Sequence, residues 1–269
     1  MIRLPDLPLP SEAQAKLAEY QQGVDALPEY AARVMRAKER FESLNRRGNA
    51  TFDVIKETLT KMCSGARRCA YCEDSVADEV EHIQPKTLYP ELAFVWINYL
   101  YACGPCNGPK NNRFAVFAES TGLLTNVSRP KKAPVVPPIR GRPVLIDPRV
   151  EDPTEYMTLD LRDTFWFSPS AKPGTPEYER AEYTIRTLQL NLRDVLPQAR
   201  RSAYLDFLAH LKQYALDRAE GQPPEHLLRL AREIQTRQHA TVWWEMKRQH
   251  MYLPELKRRF EAVPEALGW

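Results

Sequence analysis

Residues 67–114 read RRCAYCEDSVADEVEHIQPKTLYPELAFVWINYLYACGPCNGPKNNRF, and the reading of this stretch decides how the rest of the chain is organised. It holds four of the chain's 5 cysteines as two tight pairs, Cys69-x2-Cys72 and Cys103-x2-Cys106. Two such pairs supply four soft thiolates in the tetrahedral set that structural zinc prefers. A closed four-cysteine site has no open coordination position, so it folds a module without itself doing chemistry. The interval between the pairs is wider than in common zinc ribbons, and something ordered is expected inside it. It contains Glu81-His82, then Pro85-Lys86, then Asn98, while Asn107 directly follows Cys106. VEHIQP alternates as a strand does, and the residues after Cys106 are placed to start a helix. A strand, a turn, a second strand and a helix are therefore expected to converge on Glu81, His82 and Asn107. One carboxylate and one amide oxygen suit Mg²⁺ or a similar hard ion. A neutral imidazole beside them has the unperturbed pKa to take a proton from water near pH 7.

At these residues the sequence resembles the HNH endonucleases, also called ββα-metal nucleases, with knuckle, EH, N, knuckle-N and a following lysine in the family order. The resemblance implies that His82 activates the attacking water and that Glu81 and Asn107 hold a catalytic Mg²⁺ or Mn²⁺. It assigns Asn98 to orienting the histidine or the hairpin. Many family members carry aspartate where this chain has Glu81. VEHIQPK followed by W-x-N and CxxCNxxK is most similar to the HNH component of Septu-type antiphage defence systems. LIDPRVEDPTEYMTLD and TIRTLQLN resemble segments downstream of the module in that subgroup. The implied function is metal-dependent hydrolysis of DNA, alongside an ABC-type or SMC-like ATPase partner. Lys110 and Arg113 after the second knuckle, and Lys86, are candidate phosphate contacts. Two alternatives stay open: an RNase, acting for example on transfer RNA, and a non-catalytic zinc module that only binds nucleic acid or a partner.

Outward from this stretch the chain reads as helical. Ser11 and Gln14 have the form of a capping box ahead of AQAKLAEYQQGV. Pro28 fits the first turn of a second helix, and residues 51–62 space Val54, Ile55, Leu59 and Met62 for one face of a third. Residues 120–146 contain no acid, five basic residues and several prolines, which predicts an extended loop, either a solvated linker or a segment lying along phosphates. Thr175-Pro176-Glu177 is a helix start with cap, proline and first-turn acid in order. Pro223-Pro224 and HATVWWEMKRQHMYL predict further helices. The expected fold is mainly α, with a small ββα-metal zinc module embedded between helical segments. Its parts are an N-terminal helical segment (1–62), the HNH module (63–118), a basic Pro-rich connection (119–174) and a C-terminal helical domain (175–269).

Composition sets wider bounds. A formal charge of +3 permits nucleic-acid binding without demanding it. The stretch 61–114 balances its acids and bases, so it has little unaided pull on DNA, and a partner is expected to deliver substrate. No apolar run is long enough to span a bilayer, and no secretory signal is visible, so the expected compartment is the cytoplasm.

Overall fold

The computed structural model describes residues 1–269. About half of them are helical, and the strands form three small antiparallel sheets. Three helices come first: α1 (Ser11–Asp25), α2 (Tyr30–Leu44) and α3 (Ala50–Met62). The capping box expected at Ser11 does not form. Ser11 lies inside the first turn, Pro10 occupies the cap position, and no side chain caps the helix. The cap of α3 is made by Asn49, whose side chain accepts a hydrogen bond from Phe52 N at 3.1 Å.

The cysteine-rich stretch follows as β1 (Glu79–His82), β2 (Tyr99–Ala102) and α4 (Gly104–Lys110). The two strands pair antiparallel, with Glu81 opposite Leu100 and His82 opposite Tyr99. The N-terminal helices hold the long connection between them. Gln21 of α1 accepts from Phe94 N at 2.9 Å and donates to Pro90 O at 3.1 Å, satisfying both ends of its amide.

The stretch 120–146 is not one extended loop, and the 119–174 connection carries strands throughout. It contributes β4 (Leu124–Asn126) and β5 (Gly141–Pro143), which flank β3 (Ala115–Ala118), and a separate pair, β6 (Met157–Leu159) and β7 (Phe167–Pro169). At Gly141 a Cβ atom would lie 2.2 Å from Phe117 O, so only glycine lets β5 close on β3. Arg129, one of the basic residues of that stretch, is bound within the chain to Thr87 O, Tyr30 Oη and Val136 O.

The C-terminal helices are α5 (Pro176–Thr187), α6 (Val195–Ala219), α7 (Pro224–Gln235), α8 (Ala240–Gln249) and α9 (Pro254–Ala262); α5 and α7 begin at the expected signals, with Thr175 capping α5 through Tyr178 N at 3.3 Å. The long α6 is their centre. Phe207 meets Trp243 with ring centroids 5.3 Å apart, and Trp243 meets Phe260 at 5.7 Å. One buried apolar cluster runs from Met1 to Ala266. No helix is long and apolar enough to cross a membrane.

Candidate functional site

The four paired cysteines come together. Cys69 and Cys72 lie in a tight knuckle in which Glu73 N donates to Cys69 O at 2.9 Å, with Glu73 in the left-handed region at φ 59°. Cys103 precedes α4 and Cys106 lies in its first turn, with Cys106 N and Asn107 N both donating to Cys103 O. All four thiols are buried, and their sulfur atoms lie within 4.8 Å of one another. Cys72 and Cys103 Sγ are 3.8 Å apart. Tetrahedral bonds of about 2.3 Å place two sulfurs about 3.8 Å apart, so the cluster has the dimensions of a zinc tetrathiolate. Hydrogen bonds from its three neighbours hold the Cys72 thiol well below its usual range, and burial pushes Cys69 up. A dication takes its ligands as thiolates, so its binding would release the thiol protons. Arg193, from the turn before α6, donates to Cys106 Sγ at 3.2 Å and offsets part of the thiolate charge.

Beside the cysteines, β1 faces α4. Glu79 and Glu81 are two apart on the strand, and Asn107 and Lys110 are three apart on the helix, so each pair shares a face. Asn107 Nδ2 donates to Glu79 Oε2 at 2.6 Å, which leaves Asn107 Oδ1 without a hydrogen bond. Lys110 Nζ is fully buried; it bonds Glu81 Oε1 and donates to His82 O at 2.8 Å. Burial pushes the Glu81 carboxyl above the usual carboxylate range, and Lys110 opposes that shift. The assignment of Lys110 to phosphate is therefore corrected. An ammonium with no exposed surface cannot meet a backbone phosphate, and here it holds β1 to α4.

His82 is buried with its ring against Phe41, centroids 4.4 Å apart, and against Tyr99 at 5.0 Å. Its Nε2 lies 2.9 Å from Ala93 O, so the proton resides on Nε2 and the lone pair on Nδ1. Burial, with Lys86 nearby, pulls its pKa well below the usual histidine range, and the ring is neutral at pH 7. Asn98 sits at the other end of the connection. It accepts from Gln84 N at 2.8 Å and donates to Gln84 O and Leu92 O, pinning both ends of the long loop.

A cleft of about 350 Å³ opens over these groups. His82, Glu81, Asn107 and Lys86 all line it, and Lys86 Nζ stands 4.6 Å over the Phe41 ring. Asn98 and Arg113 do not line it.

Over 61 residues the chain is 43% identical to Septu protein PtuB from Bacillus thuringiensis. The match takes in 21% of this chain and 23% of the relative, so this chain spans under a quarter of that protein's length in the comparison. No protein-family model matches. The relationship to a Septu protein and the four-cysteine cluster agree with the sequence reading at that level of detail.

Sequence reading missed Phe41, Asn45 and Lys56, which α2 and α3 bring into the cleft, and Asp78 and Glu79 beside the expected Glu81. Glu79 carried a signal, since a strand places it on the face of Glu81. The helical residues carried none, because nothing local in their sequence marks a contact with β1. The donor set of the cleft fits a hard dication: two carboxylates, on Glu79 and Glu81, and a free amide oxygen on Asn107.

Proposed function

We propose that this chain is a metal-dependent HNH endonuclease that hydrolyses phosphodiester bonds of DNA, and that it serves Septu-type antiphage defence. The observation that carries the reading is His82, its Nε2 bonded to Ala93 O, in one cleft with Glu81 and Asn107. In this reading His82 Nδ1 accepts a proton from water while Nε2 stays bonded to Ala93 O. The carbonyl fixes the tautomer and stabilises the imidazolium that forms. Glu81 and Asn107, with Glu79 in reach, would hold Mg²⁺ or Mn²⁺, which when bound supplies charge neutralisation at the phosphate. Lys110 keeps Glu81 in place, and Asn98 keeps the loop carrying Ala93 in register with His82. The zinc held by Cys69, Cys72, Cys103 and Cys106 is structural in this scheme. The likeness to Septu protein PtuB supports the defence role, and an ABC-type or SMC-like ATPase is the proposed partner.

The test is cleavage of supercoiled plasmid by purified protein with Mg²⁺ or Mn²⁺, alone and with the co-expressed ATPase, beside His82→Ala. Nicking or linearisation that falls at least about a hundredfold in the variant is expected, the scale of a lost general base. Equal cleavage by the variant would remove His82 from the chemistry. Cleavage of RNA with intact plasmid would move the substrate from DNA to RNA.

A further inference from the structure

The cleft is completed by residues far in sequence from the cysteine pairs. Its acids, Asp78, Glu79 and Glu81, all come from β1 and the residue before it, whereas its two solvent-reaching cations come from elsewhere: Lys86 from the loop after β1 and Lys56 from α3. Lys56 is half-buried, and its ammonium has no ion-pair or hydrogen-bond partner. Lys61 on the same helix, by contrast, bonds Glu57 at 2.7 Å and stands outside the cleft. Groups whose bonding capacity is unspent at a concave surface are placed to meet a ligand.

A phosphodiester entering a cleft with three carboxylates needs cations on its other oxygens, because like charges at short range repel strongly where water is scarce. Lys86 is held over the Phe41 ring, and Lys56 comes to the cleft from a different element, α3. We infer that Lys56 is a substrate-binding residue that contacts a phosphate of the bound strand, so that the N-terminal helices form part of the nucleic-acid site. The inference rests on the nuclease reading above.

The test uses the full chain. His82→Ala stops turnover, and binding of fluorescein-labelled duplex and single-stranded oligonucleotides is followed by anisotropy over a salt series. Lys56→Gln in that background is expected to weaken binding about tenfold and to lower the salt slope by about one. Lys56→Arg is expected to restore the slope, and Lys61→Gln is expected to leave both unchanged. A Lys56→Gln protein with the affinity and slope of its parent overturns the assignment, and cleavage by the His82-intact protein would then leave the nuclease reading standing. A His82-intact protein that neither binds nor cuts any oligonucleotide overturns both.

Discussion

The hairpin between the cysteine pairs and the Trp243 cluster between the C-terminal helices differ in what their centres bury. Inside the hairpin region lie His82, Glu81, Asn98 and Lys110, each buried and each bonded to a particular partner. In the Trp243 cluster lie Phe207, Leu211, Trp243, Met246 and Phe260, held by area and shape, while buried Arg200 and Glu245 lie elsewhere in the same helices. Burying polar groups costs free energy unless every bond is made, whereas burying apolar groups is favourable without direction. The first region therefore needs an outside source of stability, and the cysteine cluster is placed to provide it. The second can lose a side chain and keep its fold.

The largest effect expected from this contrast comes from the metal. Apparent zinc-binding free energies of about 10–16 kcal/mol in small zinc modules set the scale. Cys72→Ser, or exhaustive chelation, is expected to abolish the one equivalent of zinc per chain and to expose the amides of β1 and β2 to hydrogen exchange while α6 stays protected. Protection of β1 and β2 in metal-free protein would break the comparison. Phe207→Ala is expected to cost about 3–5 kcal/mol in urea unfolding and to keep its zinc. Zinc loss in that variant would show that the two regions stand or fall together.

A smaller effect lies on the seam. Arg149 bonds the carbonyls of Trp96 and Tyr99 under the hairpin, and Asp147 accepts from Arg149 N at 2.8 Å. Burial pushes Asp147 up to about 6. The folded pKa is raised above an unfolded value of about 3.9, so the contribution of Asp147 is complete below pH 4 and lost as pH rises through 6. Asp147→Asn is then expected to raise stability at pH 7 by about 2 kcal/mol and to flatten its dependence between about pH 4 and 6. A variant less stable at pH 7 would contradict the assignment. Smallest is Thr175→Ala at the start of α5, expected to cost about 1 kcal/mol with zinc untouched.

What was legible in the sequence follows the same division. The cysteine spacing, the strand-like VEHIQP and the Thr175-Pro176 start are local signals, and each corresponds to a local feature: the thiol cluster, β1 and the capped α5. His82, Glu81 and Asn107 share one cleft because two short elements carry them. The roles of Lys110 and Arg129 were not legible. A basic residue beside a knuckle or among prolines looks solvated until the tertiary fold supplies Glu81 for one and Thr87 O, Tyr30 Oη and Val136 O for the other. Lys56 and Phe41 were invisible for the same reason, since helical periodicity records which face is buried and not what it meets.

The first knuckle also carries a consequence for timing. The Glu73 side chain accepts from Thr241 N at 3.2 Å across 168 positions of chain, and Arg193 reaches Cys106 across 87. At roughly 5–20 residues per second a ribosome takes roughly 7–27 s to go from Cys106, the last of the four cysteines, to Thr241. During that interval the cysteines are already made but their outer supports are not. The four thiols are therefore made well before Arg193 and Thr241, and the finished surroundings of the cluster arrive only as synthesis nears α8.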